Sequence, residues 1–480
     1  IARPKIGFYW AWFLIIQGRI EEVLPLLNEM ARHLAVSDTD SGQQWIRTMV
    51  ALALAFLGHR SSTPGADLLP EYQALDEIPD KELVLRDAAD ILYGMTLGRR
   101  GEIDRAAEVA LKCIQRDKTT PGNQVIPTLV PFLARIYLEQ GRLHAATSLC
   151  HEYLDPINEK GIRFIYSAGG MNIILGEVLY EWNCLAEAEQ QIRDGLQANE
   201  PWVDIMTEAF GRLALIRVLQ AKRDYSGAMQ IVEEFEKSMQ TPLRPFEFEE
   251  DFRTLRVRLQ LAGGDLQSAS DWAERICLSE DFHLHEERYW LTLARIHMAQ
   301  GRYADVEKML VEGVPLPVAG NRTTRKLEVD LLLAAAIAFQ RRWPEALGLI
   351  ETCLAEAEVE GYIRIFVDIG GPVRDLLAAY LRSEAPGHSL YAQKVLDAFT
   401  FSGQVASPGP QSGELIEPLS GRELEVLQLM SQGKTNQEIA RQLIVAPGTI
   451  KAHTANIYRK LDVANRTEAV ARARRLGVLP

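Results

Sequence analysis

Apolar and polar positions alternate with a helical period along most of this chain, and short turns interrupt the pattern about every 40 residues. Each turn follows an apolar helix and precedes a helix that carries Ala or Val near its start. A Gly or Asn at the turn allows the left-handed backbone that joins two antiparallel helices. The predicted turns are centred on Gly18, Gly58, Gly101, Gly141, Asn183, Arg223, Gly264, Gly301 and Arg342.

This period predicts a solenoid of helix pairs. A single pair is too small to bury its own apolar faces, so neighbouring pairs must stack into a superhelix. Alanine at a fixed offset after the turn lets the helices approach each other closely. The longest apolar run, Leu331 to Phe339, is too short to span a membrane and is therefore predicted to be a packed helix.

The pattern changes after Leu419, where four short helices are predicted. Two capping boxes begin the first two helices: Ser420 with Glu423, and Thr435 with Glu438. Gly433 ends the first helix, and Pro447 suits the first position of the third. The third helix is predicted from about Pro447 to Lys460, and the fourth from about Arg466 to Leu476.

The two faces of the third helix differ. Ile450, Ile457 and Leu461 form an apolar stripe at helical spacing. The opposite face is small and polar, then basic, and it carries no Glu: Gly448, Lys451, Ala452, Ala455, Asn456 and Arg459. Small residues allow a helix to enter the DNA major groove, where Lys and Asn side chains can reach base edges or phosphates. His453 has no second ligand at metal-binding spacing, so we interpret it as structural.

The charge distribution separates this tail from the rest of the chain. The whole chain carries a formal charge of −13, whereas ten Lys or Arg and five Asp or Glu give the tail from Leu419 to Pro480 a charge of +5. The preceding 418 residues therefore sum to −18. A basic module at the end of an acidic protein favours a nucleic-acid partner, although basic surface helices also occur without one.

The tail resembles the LuxR-type helix-turn-helix family. The matching segments are LSGRELEVL, GKTNQEIA, TIKAH and NIYRKLDVANRTEA. The resemblance implies that residues 436–455 form the helix-turn-helix and that the helix from Pro447 is the recognition helix. It also implies that Arg466 and the fourth helix contribute to dimerisation and to contacts with the DNA backbone. Ala446 departs from the Ser that caps the recognition helix in many relatives, a loss of about 1 kcal/mol.

The two faces of the third helix and the family resemblance together predict a double-stranded DNA partner, bound by a dimer. The predicted contacts are Thr435, Asn436, Gly448, Thr449, Lys451, Ala452, Ala455, Asn456, Arg459, Lys460 and Arg466.

The repeat region resembles the tetratricopeptide-like (TPR-like) domain of large ATP-binding LuxR-type regulators, the group that includes the maltose-regulon activator. The segment from Glu358 to Leu381 is similar to the one that closes the solenoid in that group. The resemblance implies an all-α fold: a right-handed superhelix of about eight to nine TPR-like helix pairs, followed by the four-helix LuxR-type domain. It also implies a solenoid that senses a small-molecule inducer or a protein partner. Eight aromatic residues are candidates for the sensing surface: Tyr166, Trp182, Trp202, Phe210, Phe246, Phe248, Tyr289 and Trp290.

The local amino-acid composition also indicates domain boundaries. Residues 401–418 are rich in Pro, Gly and Ser, which predicts a flexible linker between a sensor domain, 1–400, and a DNA-binding domain, 419–480. No phosphate-binding GxxxxGK[ST] loop occurs in the sequence, so we expect no cofactor in this chain. ATP is expected only through a domain upstream, as in the related group, and we interpret the chain as the C-terminal part of a longer regulator.

The remaining features favour a cytoplasmic regulator over an enzyme. Five scattered cysteines, never in CxxC spacing, are typical of buried thiols in a reducing compartment. The sequence contains no nucleophile motif, paired-carboxylate cleft or histidine cluster, so we predict neither catalytic nor metal-binding residues and no membrane contact. One alternative stays open: a TPR-like interaction scaffold whose basic tail is vestigial.

Overall fold

The structure, a computed structural model, divides into two units by internal contacts, Ile1–Gln404 and Val405–Pro480. Each unit is treated separately below. The described residues are 4–17, 19–36, 46, 49–50, 53, 83–99, 101–119, 126–159, 167–200, 204–238, 248–276, 287–313, 322–383, 387–401, 421–431, 434–442, 450, 454, 457–458, 463 and 466–475. Among them, every regular element is a helix. Residues 402–418 of the predicted linker and the predicted turns at Gly18 and Gly58 lie outside this set.

The first unit is a stack of helix pairs, as predicted. The described pairs are α1 (Pro4–Ile16) with α2 (Ile20–Val36), α3 (Leu83–Arg99) with α4 (Ile103–Thr119), α5 (Ile126–Glu139) with α6 (Leu143–Glu159), α7 (Ala168–Glu181) with α8 (Leu185–Asn199), α9 (Ile205–Ala221) with α10 (Tyr225–Ser238), α11 (Glu249–Ala262) with α12 (Leu266–Arg275), α13 (Glu287–Ala299) with α14 (Tyr303–Lys308), and α15 (Thr323–Phe339) with α16 (Trp343–Glu360). A π-helical turn, Met309–Gly313, extends α14. Three further helices follow: α17 (Arg364–Val367), α18 (Gly371–Tyr380) and α19 (Ser389–Phe401).

A left-handed residue joins the two helices of each described pair from α3/α4 onward. These residues are Gly101, Gly141, Asn183, Arg223, Gly264, Gly301 and Arg341, with φ between 64° and 89°. The next residue donates its backbone N–H to the carbonyl five positions earlier, over 2.8 to 3.3 Å, as in the Schellman motif. Six of these positions confirm the predicted turns; the seventh is Arg341, one residue before the predicted Arg342.

A small buried residue follows each left-handed residue by five positions. Its side chain is fully buried in every case: Ala106, Ala146, Ala188, Ala228, Ala269, Val306 and Ala346. Because the turn fixes where the second helix starts, the same position of every repeat faces the first helix. The predicted role of the small side chain, close approach of the two helices, is consistent with this burial.

The stack also makes contacts between repeats that are distant in sequence. The hydroxyl of Thr324, on α15, donates to the carbonyl of Leu138, on α5, over 2.8 Å. The backbone N–H of Ile363 donates to the carbonyl of Glu181, at the end of α7, over 2.8 Å. The Trp182 indole N–H donates to the carbonyl of Glu360 over 2.9 Å. The segment that begins at Glu358 therefore packs against the middle of the solenoid.

Apolar packing accompanies these polar contacts. One hydrophobic cluster contains Leu133 of α5, Leu331 of α15 and Phe366 of α17. The predicted packed helix Leu331–Phe339 lies within α15, where all but Leu333 and Phe339 are buried. None of the described helices is both long and apolar enough to cross a bilayer.

Substitution of two glycines can test the left-handed conformation of the turn residue. Gly264, with φ of 89°, and the helical Gly348 both leave room for a Cβ atom. Gly264→Ala should reduce the free energy of unfolding by about 1 kcal/mol, because the left-handed region costs an L-residue about 1–2 kcal/mol, which the lower chain entropy of alanine partly offsets. Gly348→Ala, the control, should raise it by about 0.5–1 kcal/mol.

Urea titration followed by tryptophan fluorescence measures both values, because all eight tryptophans lie before residue 405. Equal effects of the two substitutions would contradict the assignment of the turn.

Candidate nucleic-acid interface

The second unit has its own apolar core. Its described helices are α20 (Gly421–Ser431), α21 (Asn436–Gln442) and α22 (Arg466–Arg475). Ile450 and Ile457 of the predicted third helix are fully buried, together with Leu427, Ile439 and Ala469. The predicted apolar stripe is thus confirmed for Ile450 and Ile457, whereas Leu461 lies outside the described residues.

Thr435 and Glu438 form the predicted capping box at the start of α21. The backbone N–H of Thr435 donates to Glu438 Oε2 over 2.7 Å, and the N–H of Glu438 approaches Thr435 Oγ1 at 3.4 Å. The Thr435 hydroxyl also donates to Glu438 Oε2 over 2.8 Å. These bonds satisfy amides that have no partner within the helix, and they fix where the short α21 begins.

Arg466 connects the start of α22 with the segment between α20 and α21. Its Nη2 donates to the carbonyl of Met430 and to that of Lys434, each over 2.6 Å. Both acceptors lie at the connection between α20 and α21, where helical carbonyls have no intrahelical donor. The guanidinium therefore anchors the start of α22 to this connection. We call this contact, which was not predicted from the sequence, the Arg466 clamp.

The predicted third helix has two described polar contacts. The buried Thr454 hydroxyl donates to the carbonyl of Ile450 over 2.7 Å. The N–H of Val463 donates to the carbonyl of Tyr458 over 3.0 Å, a bond across five residues that is typical of a helix end. Partial burial raises the pKa of Tyr458, with an opposing effect from the charge of Arg466. These contacts agree with a helix that ends near Asp462 and Val463.

Three of the predicted DNA contacts lie among the described residues. Thr435 is exposed, Asn436 is the first residue of α21, and Arg466 is half-buried in the clamp. The structure brings Thr435 and Asn436 together at one end of α21. The other eight lie outside the described residues: Gly448, Thr449, Lys451, Ala452, Ala455, Asn456, Arg459 and Lys460.

The candidate aromatic residues of the solenoid mostly pack within it. Phe248 is buried and makes an edge contact with Phe210, with ring centroids 5.0 Å apart. The Arg135 guanidinium lies over the Phe210 ring at 4.3 Å. Trp182 contributes to the contact with Glu360 described above. Tyr166, Trp202 and Phe246 lie outside the described residues.

One group of side chains in the solenoid has the composition of a metal site. Asp87, Asp90 and Cys113 are buried, with potential ligand atoms within 4.8 Å of one another. Arg116 Nη2, however, lies 2.5 Å from Asp87 Oδ1 and 2.6 Å from Asp90 Oδ2. The chain itself thus supplies the cation for these carboxylates, and the cluster is an ion-pair network of the core.

The described cysteines are free thiols. Cys113, Cys150 and Cys353 are buried, as predicted, and Cys184 is half-buried. Burial raises the pKa of Cys150 to about 12, so this thiol stays protonated and unreactive at neutral pH.

In comparisons with known proteins, two separate parts of the chain match two different family models. Residues 72–383 match the model of the MalT-like TPR region, and residues 417–473 match that of the bacterial regulatory proteins of the luxR family. The HTH-type transcriptional regulator MalT of Vibrio campbellii is 25% identical over 99% of this chain and 54% of the relative. That of Yersinia enterocolitica is 26% identical over 99% of this chain and 54% of the relative. The chain thus spans about half the length of the curated relatives it matches.

A solved structure also resembles the chain. It is a Rap protein complexed with Competence and Sporulation Factor, with a TM-score of 0.43 and 11% identity over 84% of this chain and 96% of that chain.

The Arg466 clamp is testable by substitution. Arg466→Ala leaves two carbonyls without a charged donor, which should reduce the local free energy of unfolding by about 2–3 kcal/mol. Hydrogen exchange of the amides in residues 421–442 should accelerate accordingly. Arg466→Lys should restore protection only in part, because one ammonium lacks the planar fork of the guanidinium. Gln437→Ala, an exposed change on α21, is the control; unchanged exchange in Arg466→Ala would refute the clamp.

Proposed function

Because the chain belongs to the family of the MalT-like TPR region, we propose that it is the sensing and DNA-binding part of a transcription regulator. The observation that carries this proposal is the second unit: a basic segment that matches the luxR family and folds around its own core. The proposed domains are the sensor, 1–400, the linker, 401–418, and the DNA-binding domain, 419–480.

The helix-turn-helix in this proposal comprises residues 436–455. Burial of Ile450 and Ile457 supports the proposed orientation of the recognition helix, because residues on the opposite side of a helix then face outward. Lys451 and Asn456 are on that outer side and contact base edges, whereas Arg459 contacts a phosphate. The capping box at Thr435 positions the helix that precedes the turn.

Regulation in this proposal depends on the solenoid. The solenoid binds an inducer or a protein partner, and binding shifts the tethered domain toward a dimer on DNA. The regulator acts in the cytoplasm, and any ATP-binding module lies in the part of the relatives that this chain does not span. The chain itself performs no catalysis.

A charge-matched pair of variants tests the proposed interface. The full chain first selects preferred duplexes from a randomised pool, and fluorescence anisotropy then measures affinity over a salt series. Lys451→Ala should reduce discrimination between selected and unrelated duplexes by about 1–3 kcal/mol, roughly 5- to 150-fold, because a base contact is lost.

Arg422→Ala is the control: it removes one charge of the same unit from α20, and it should weaken both duplexes equally. Full discrimination by Lys451→Ala would show that the orientation of the helix is wrong. Absence of salt-sensitive DNA binding by the unmodified chain would instead favour the scaffold alternative.

A further inference from the structure

Five residues occupy the same position of successive repeats, and four of them are arginines. Each stands six residues before the left-handed turn residue, as Arg258 stands before Gly264. They lie on the first helices of five consecutive pairs: Arg135, Glu177, Arg217, Arg258 and Arg295. Because equivalent positions of stacked repeats point in similar directions, these side chains form one row. We call this row the arginine ladder.

The ladder lies on the side of the stack where distant repeats approach each other. Arg295 donates to the carbonyl of Asp368, beyond α17, over 3.1 Å. Arg258 of α11 approaches Glu328 of α15 at 3.9 Å, so it reaches past the intervening pair. The ladder therefore faces the inner side of the solenoid, between first helices.

Three ladder arginines have close carboxylate partners. Arg135 makes two hydrogen bonds with Glu177, over 2.6 and 2.5 Å. Arg217 donates to Glu181 over 2.7 Å. Arg295 donates to Glu328 over 2.9 Å. These pairs hold the three guanidinium groups in place.

Arg258 differs from the other three. Among the described residues it makes no hydrogen bond, and its nearest carboxylate oxygen is Glu328 Oε1 at 3.9 Å. Its side chain as a whole is 25% exposed. Arginine offers five donors in a rigid fork, and no described residue places an acceptor close to this fork.

The carboxylate closest to Arg258 already serves two other arginines. Glu328 accepts from Arg295 over 2.9 Å through Oε1 and from Arg325 over 2.8 Å through Oε2. Burial opposes ionisation of Glu328, but the three arginines outweigh it and hold its pKa well below the usual range. Burial, followed by the charge of Arg295, lowers the pKa of Arg258 to about 10. Among the charged groups that act most strongly on Arg258, Arg295 and Arg217 are opposed by Glu328 and Asp368, so with Arg258 itself positive charge is in excess among these five groups.

We propose that Arg258, flanked by Arg217 and Arg295, binds an oxyanion of a small molecule on the inner side of the solenoid, either a carboxylate or a phosphate. An oxyanion placed there accepts hydrogen bonds from the free fork of Arg258 and balances the excess charge. The flanking arginines interact electrostatically with Arg258 and attract the same anion. The inference rests on the proposed function only in assigning this anion a sensory role.

Isothermal titration calorimetry of the full chain tests the site. The probes are pyrophosphate and citrate, each at an ionic strength held constant with sodium chloride. Saturable binding of one probe is expected, and the probe that binds more tightly identifies the phosphate or the carboxylate source. Arg258→Gln should weaken that binding by about tenfold or more, because a charged bidentate contact is lost. Arg258→Lys, which keeps the charge but lacks the fork, should give an intermediate affinity.

Arg253→Gln is the matched control. Arg253 lies on the same helix and pairs with Glu249 and Glu250, with its side chain 54% exposed. This variant should bind the probe as the unmodified chain does. Because Arg258 makes no hydrogen bond with the residues that the structure describes, Arg258→Gln should keep its midpoint of urea unfolding without probe, measured by tryptophan fluorescence. Failure of both probes to bind, equal losses in the two glutamine variants, or a large drop in the unfolding midpoint of Arg258→Gln would overturn the proposed site.

DNA anisotropy with and without the bound probe separates this inference from the proposed function. A change in DNA affinity that Arg258→Gln abolishes supports both. Probe binding without any change in DNA affinity supports the anion site and refutes its sensory role. DNA binding by a chain that binds neither probe supports the proposed function as a regulator and refutes the anion site.

Discussion

The left-handed residue at the end of each first helix is the constraint on which the solenoid depends. It reverses the chain within a few residues, and the hydrogen bond across it sets the starting point of the second helix. The small residue five positions later then faces the first helix, which makes close packing possible in each described pair from α3/α4 onward. Asn183, Arg223 and Arg341 hold this conformation without being glycines, so tertiary packing outweighs a local cost of about 1–2 kcal/mol.

Regular packing of this kind places equivalent residues in rows, and this explains the charged inner side of the solenoid. First helices of distant repeats approach each other there, and long side chains pair across the space between them. Glu328 pairs with arginines of three first helices: Arg295 at 2.9 Å, Arg325 at 2.8 Å and, more distantly, Arg258 at 3.9 Å. Among the described residues, the arginines of this row share few carboxylates and Arg258 has no acceptor closer than Glu328 at 3.9 Å, which is the physical basis of the proposed anion site.

Side-chain hydrogen bonds to backbone groups supplement the apolar core of the second unit. Thr435 and Glu438 satisfy the start of α21, and Arg466 satisfies carbonyls at the end of α20 and just beyond it. The capping box was predictable, because both partners lie within one turn of sequence. The Arg466 clamp was not, since its acceptors are carbonyls more than 30 residues away, and a carbonyl has no signature in the sequence. The clamp gives Arg466 a structural role beside the predicted contribution to DNA binding.

The sequence by itself determined the features that depend on short spacing. These are the positions of the seven described turns to within one residue, the small residue after each of them, the apolar stripe of Ile450 and Ile457, and the capping box at Thr435. Only the tertiary structure decided which repeats meet, for example that Thr324 bonds to Leu138 and Ile363 to Glu181. The reason is geometric: a local pattern specifies each helix pair, whereas contacts between distant pairs depend on the small rotations that accumulate from one repeat to the next.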